Sequence, residues 1–255
     1  MNLFYKKYSA EKRGIPIFLL HGILGSHTNW AKIATALSKH SDVYTLDLRN
    51  HGNSPHSNTM TYADMATDIK MIMYQEKIQK INIVGHSMGG KIAMQFALQF
   101  PQDVNKTVVI DIAPKVYPKE HNRFFKALCI IEENRPTSRK MASQMIQELI
   151  TERKERLFVL SNLIKKEGVL VWRINCKAIR ENYEVISAGI ESNNTCLSPI
   201  LFILSEKSSF VVKEDVQMIE ELFEKSTFIS VPNSSHWVFS DQPEKVIKIL
   251  ESFFN

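Results

Sequence analysis

Ile81-Asn82-Ile83-Val84-Gly85-His86-Ser87-Met88-Gly89 runs from an apolar strand into a G-x-S-x-G turn and on into a helical pattern that starts near Met88. A serine between two glycines at a strand-to-helix turn forms a nucleophile elbow. The missing side chains at Gly85 and Gly89 let helix and strand close up, and the hydroxyl stands clear of the sheet. The helix N-terminus that follows directs backbone N–H groups and a positive dipole end at the same point. Ser87 is therefore the candidate nucleophile. Outward from it, short apolar runs at 15–20, 43–48, 81–84, 107–112, 200–204 and 227–231 read as buried strands. Amphipathic stretches at 29–39, 62–77, 88–100 and 243–254 have helical spacing, the last with Pro243 in its first turn. This alternation predicts an α/β fold with a doubly wound, mostly parallel sheet.

The rhythm breaks between Lys115 and Ser198, where helical patterns at 122–133, 137–150, 153–166 and 176–188 surround one brief β-like stretch, Val169 to Trp172. The expected organisation is one α/β core, residues 1–114 and 199–255, with a mainly helical cap inserted at 115–198. Such a cap covers the strand ends where ligands bind in open α/β sheets. The net charge of +5 is not collected into a run of like charges, so nucleic acid is not an expected partner. The surplus sits in the insertion, where 15 Lys+Arg face 10 Asp+Glu against 17 and 17 elsewhere. Cys129, Cys176 and Cys196 form no close-spaced pair, which argues against a disulfide framework or a thiolate metal site and predicts buried thiols. No apolar run is long enough to span a bilayer, and MNLFYKKYS has no apolar stretch of a secretory kind. No membrane span and a cytoplasmic location are the expectation.

A nucleophilic serine needs an oxyanion hole, a base and an acid. His21-Gly22-Ile23-Leu24-Gly25 follows the strand at 15–20, in position to pair the Ile23 N–H with the Met88 N–H as oxyanion donors, while the His21 ring braces the loop. Of eight histidines only His236 falls late in the chain, between the last strand and the last helix, as the order serine, acid, histidine requires. His86 fills the elbow, His51 belongs to a glycine-containing turn, His27, His40 and His56 to loops, and His121 to the insertion. Two residues compete for the acid. Glu206 follows the penultimate strand, whereas Asp111 ends the strand at 107–112, where an aspartate in a Val/Ile run calls for a reason. Asp241 reads as an N-cap before Pro243. Phe124, Phe125 and Leu128 share a helical face, and with Leu24 and Trp237 beside the oxyanion and histidine loops they are the candidate pocket lining.

The segments HGILGSHTNW (21–30), DLRNHGNSPH (47–56), VGHSMGGK (84–91), VVIDIAP (108–114), WRIN (172–175) and SHWV (235–238) together make the chain similar to the YbfF-like esterases of the α/β-hydrolase superfamily, nearly end to end. The resemblance implies the α/β-hydrolase fold, with the triad acid at the DIAP aspartate, Asp111, and the base at His236. Ser235 replaces a glycine common in relatives, which matters only where that position needs positive φ. The implied activity is hydrolysis of short to medium acyl esters, or of thioesters carried on CoA or on an acyl carrier protein, without metal or organic cofactor. The basic surplus of the insertion suits such an anionic carrier. A lyase or C–C bond hydrolase of the same fold would keep the same three residues, and a non-catalytic binding protein on the same scaffold would usually have lost one.

Overall fold

The computed structural model describes residues 1–10, 14–118 and 122–255, so His121 lies outside the described residues. Five strands come first: β1 (Tyr5–Tyr8), β2 (Ile17–Leu20), β3 (Val43–Leu46), β4 (Ile81–His86) and β5 (Val104–Ile110). Helices α1 (Ala31–Leu37), α2 (Tyr62–Gln75) and α3 (Met88–Gln99) connect them. The chain then leaves the sheet for α4 (Asn122–Asn134), α5 (Arg139–Ile146), α6 (Arg153–Leu160), β6 (Leu163–Lys166), β7 (Val169–Trp172), α7 (Cys176–Glu181) and α8 (Tyr183–Ser187). It returns as β8 (Ile200–Ser205), α9 (Asp215–Leu222), β9 (Ser226–Val231), α10 (Val238–Asp241) and α11 (Pro243–Phe254).

The main sheet has the order β1-β3-β2-β4-β5-β8-β9, antiparallel only at the β1 edge. Period-two alternation splits its side chains between two cores. Phe18, Leu20, Ile83 and Val109 face α2 and α3, while Ile17, Leu19, Val84 and Val108 face α1 and α11. From β2 the chain moves to β3 on one side, then crosses to β4 on the other, so the direction of winding reverses between β2 and β4. The crevice at such a reversal is where open α/β sheets bind ligands. The loop after β2 carries Ile23 and the loop after β4 carries Ser87, which places both at that crevice.

The segment between β5 and β8 extends the core on the α2 and α3 side, through Leu128, Ile131, Ile146 and Leu160. Its polar anchors are specific. Asn162 Nδ2 donates to the Leu24 carbonyl at 2.7 Å, and the Asn175 N–H donates to the Asn50 carbonyl at 2.9 Å. WRIN thus docks on the DLRNHGNSPH loop. Asn50 accommodates the turn with a φ of 66°.

Several boundaries differ from the sequence reading. The helix expected over 153–166 stops at Leu160, because Leu163–Lys166 pairs with Val169–Trp172 through a tight turn in which Glu167 and Gly168 have φ of 50° and 84°. Two successive positive φ values match the twist of a two-residue hairpin, and this local geometry overrides helical spacing. The stretch expected as one helix over 176–188 is broken at Asn182 into α7 and α8, and that over 137–150 shortens to α5. The edge strand β1 and helix α9 were not expected. Asp241 lies inside α10, and Gln242 takes the N-cap position of α11. All three thiols are free, but only Cys196 is buried. No helix among the described residues is long and apolar enough to cross a membrane.

A Cβ added at Gly89 would lie 2.5 Å from the Leu20 carbonyl oxygen, so α3 packs on the end of β2 at backbone contact. Gly89→Ala is expected to lower the unfolding free energy by roughly 1–3 kcal/mol, as steric conflict in a core does. A urea titration with an unchanged midpoint would contradict this close approach.

Candidate active site

Four strand ends supply the site. Ser87 has φ 53° and ψ −121°, the forced backbone of the elbow, and its N–H donates to the Ile110 carbonyl at 3.1 Å. Asp111, one residue past β5, also has positive φ, 51°, which aspartate tolerates better than the β-branched residues around it. Its N–H donates to the Ile203 carbonyl at 2.9 Å, and its Oδ1 accepts the Ser205 N–H at 3.1 Å. The other oxygen, Oδ2, is 2.8 Å from His236 Nδ1, with Asp111 only 1% exposed. Ser87 and His236 border one small cavity. Glu206, the other acid candidate, is exposed and accepts the Asn233 N–H at 2.7 Å.

The loop after β9 is held from several directions. Asp241 Oδ2 accepts both the Ser235 N–H at 2.8 Å and the Ser235 hydroxyl at 2.5 Å, and Ser235 is not among the residues with positive φ. His86 Nε2 is 2.8 Å from the His236 carbonyl, so that nitrogen carries the hydrogen. Burial drives His86 well below the usual histidine range, which keeps the ring neutral and the donor in place. Phe210 stacks on the His236 ring with centroids 3.9 Å apart and planes at 17°.

The early loop is fixed by two more buried histidines. His21 Nδ1 donates to the Gly22 carbonyl at 2.8 Å and its Nε2 accepts the Leu48 N–H at 3.0 Å. His51 Nδ1 donates to the Arg49 carbonyl at 2.9 Å and its Nε2 accepts the Leu24 N–H at 3.1 Å. Burial lowers His21 to about 4 and His51 to about 3, so both stay neutral and each nitrogen keeps one role. Leu24 is thereby held at φ 60°, next to Ile23. Among the described residues, neither the Ile23 nor the Met88 N–H donates to another backbone carbonyl outside the helices and strands.

Two cavities meet at Ser87. The larger, about 160 Å³, is bordered by Ile23, Met88, Lys91, Ile112, Tyr117 and Phe210 among others. The smaller, about 40 Å³, is bordered by Leu24, Phe124, Phe158, His236 and Trp237. Leu24, Phe124 and Trp237 thus lie beside Ser87. Phe125 and Leu128 border neither cavity and pack in the core, Phe125 edge-on to Tyr183 at 4.9 Å. Lys91, Tyr117, Asn162 and Phe210 did not emerge from the sequence; the one available signal was Lys91, the only charged residue in MGGKIAMQFALQ.

These features define a class: a hydrolase built around a serine elbow at the winding reversal of a parallel sheet. The chain belongs to the alpha/beta hydrolase fold family, whose profile matches residues 15–243. It is 34% identical to the sn-1-specific diacylglycerol lipase ABHD11 of Danio rerio, over 99% of this chain and 82% of that one. Esterase YbfF of Escherichia coli is 29% identical over 100% of this chain and 99% of its own. The solved structure of a marine microorganism esterase superposes with a TM-score of 0.95 at 35% identity, covering 99% of both chains.

Burial also lowers Lys91, from an ordinary 10.5 to about 7. Across the interval between those values the unfolded chain holds a proton at this position that the folded chain has released, so the group makes stability rise with pH there and penalises the fold most below it. Lys91→Met is expected to remove this part of the slope. Urea titrations of both proteins at pH 7 and pH 9.5 read it, and parallel dependences would show that folding does not displace the Lys91 proton.

Proposed function

We propose that this protein is a carboxylic ester hydrolase that works through a covalent acyl-serine at Ser87. The observation that supports this most is the 2.8 Å contact between Asp111 and His236 Nδ1, beside a cavity that His236 shares with Ser87. His236 Nε2 takes the hydroxyl proton as Ser87 attacks the carbonyl, and the resulting oxyanion is held by the Ile23 and Met88 N–H groups. Asp111 fixes the imidazole tautomer and stabilises the imidazolium. His236 then passes the proton to the leaving oxygen. Water, activated by the same nitrogen, releases the acid and regenerates Ser87.

Proton delivery places the leaving group on the histidine side, so the smaller cavity, with Phe124 and Trp237, receives the alcohol. The acyl chain then occupies the larger, mostly apolar cavity, whose about 160 Å³ suits a short to medium chain. Residues 115–198 act as a cap over both. The second reading replaces the alcohol with the thiol of CoA or of an acyl carrier protein, and the surplus of 15 Lys+Arg over 10 Asp+Glu in that segment supports it.

Ser87→Ala is expected to abolish turnover of p-nitrophenyl acetate in folded protein, and retained activity would refute the acyl-serine. Asp111→Asn should lower kcat by roughly three to four orders of magnitude, as loss of the orienting carboxylate does in a serine triad. Glu206→Gln should change kcat less than about threefold; the reverse ranking would move the acid to Glu206. For the thioester reading, kcat/KM for an acyl-CoA should exceed that of an uncharged ester of the same chain length at low salt and fall as salt is added. Equal constants would discard the anionic carrier.

A further inference from the structure

Lys91 is 1% exposed, and the partners of its Nζ among the described residues are carbonyl oxygens and aromatic rings, not carboxylates. Nζ donates instead to the carbonyls of Lys115 at 2.8 Å, Ala188 at 2.5 Å and Ser187 at 3.4 Å, and it lies 4.8 Å from the Tyr117 ring and 5.7 Å from that of Tyr62. A lysine amine taken out of water and held only by carbonyl oxygens costs the fold more than an apolar side chain of similar length would, most of all where it carries a proton. Stability alone therefore does not account for a lysine here, whereas position does.

The three carbonyls belong to the two stretches of chain that bound the excursion between β5 and β8. Those stretches are bonded to each other: the Tyr117 N–H donates to the Ser187 carbonyl at 2.9 Å and the Ile190 N–H to the Pro114 carbonyl at 2.7 Å. Lys91 fastens both to α3, and its own N–H donates to the Ser87 carbonyl at 3.1 Å. The same stretches form a wall of the larger cavity, through Lys115, Tyr117, Ile186 and Ser187. Tyr117 carries the fastening onward. Its hydroxyl donates to the Phe210 carbonyl at 2.5 Å and accepts the Ala113 N–H at 2.8 Å, and Phe210 is the ring stacked on His236.

We propose that Lys91 is a positioning residue of the acyl cavity, fixing both boundary stretches to the helix that begins at Ser87 and thereby setting the acyl length the cavity accepts. The acyl chain rests on the ester-hydrolase reading; the fastening does not.

Two measurements on Lys91→Met separate these dependences. Hydrogen exchange of the amides in 115–117 and 187–190 is expected to become at least tenfold faster than in the wild type, and unchanged exchange overturns the fastening whether or not the protein hydrolyses esters. With p-nitrophenyl esters from acetate to decanoate, the fall of kcat/KM beyond the preferred chain length should flatten at least threefold. A retained profile, or a uniform loss at every length, overturns the role in selecting acyl length. Lys91→Gln keeps two donated hydrogens and should lie between wild type and Lys91→Met in both readouts. If Lys91→Met does not fold, Lys91→Gln against wild type decides, a wild-type result in both overturning the proposal. If the wild type hydrolyses no ester in the series, the ester-hydrolase reading falls, and the exchange result alone decides the fastening.

Discussion

Helix α3 meets the ends of β2 and β4 at a spacing that admits no side chain. A Cβ on Gly85 would lie 2.0 Å from the Gly89 carbonyl oxygen, and one on Gly89 would lie 2.5 Å from that of Leu20. This contact pulls the first turn of α3 into the crevice and forces Ser87 into positive φ, a conformation that costs on the order of 1–3 kcal/mol. Burial of the apolar residues of α3 offsets that cost. Other groups at the site stand around the hydroxyl so placed: the Ile23 N–H after β2, the Asp111 carboxylate after β5 and the His236 imidazole after β9.

Buried histidines do much of that arranging. His21, His51 and His86 are all kept neutral by desolvation, and each donates to a carbonyl from one ring nitrogen. A neutral imidazole with one fixed hydrogen behaves as a short, directional spacer between two backbone segments. Three such spacers tie the loop after β2 to the loop after β3, and the elbow to the loop after β9. His236 differs in being only half-buried and in resting its hydrogen-bonded nitrogen on a carboxylate.

The alternation of strands and helices, the elbow and the late histidine were legible in the sequence because each depends on local spacing or chain order. Asp111 was harder: the residues themselves left it open against Glu206, since choosing between them requires knowing which strand end lies nearest His236. The insertion was read least well. Leu163–Lys166 continues the helical spacing of its neighbours, whereas the turn at Glu167-Gly168 turns it back as a hairpin. Tyr117 and Phe210 are invisible in the sequence for a different reason, and Lys91 shows only as the lone charge in MGGKIAMQFALQ. Their contacts are with carbonyls and rings that lie far away along the chain, at sequence separations of 96 for Lys91 and Ser187 and 93 for Tyr117 and Phe210.

The contact between Asp111 and His236 spans 125 residues, and that between His86 and the His236 carbonyl spans 150. Neither can form before the whole excursion following β5, and β8 and β9 after it, have been synthesised. Closing loops of that size is entropically costly and slow relative to local helix formation. The elbow is encoded within nine residues, whereas the contacts that hold His236 beside it join positions more than a hundred residues apart. A nascent chain therefore holds the local sequence of the serine turn well before the residues that carry the imidazole have been made.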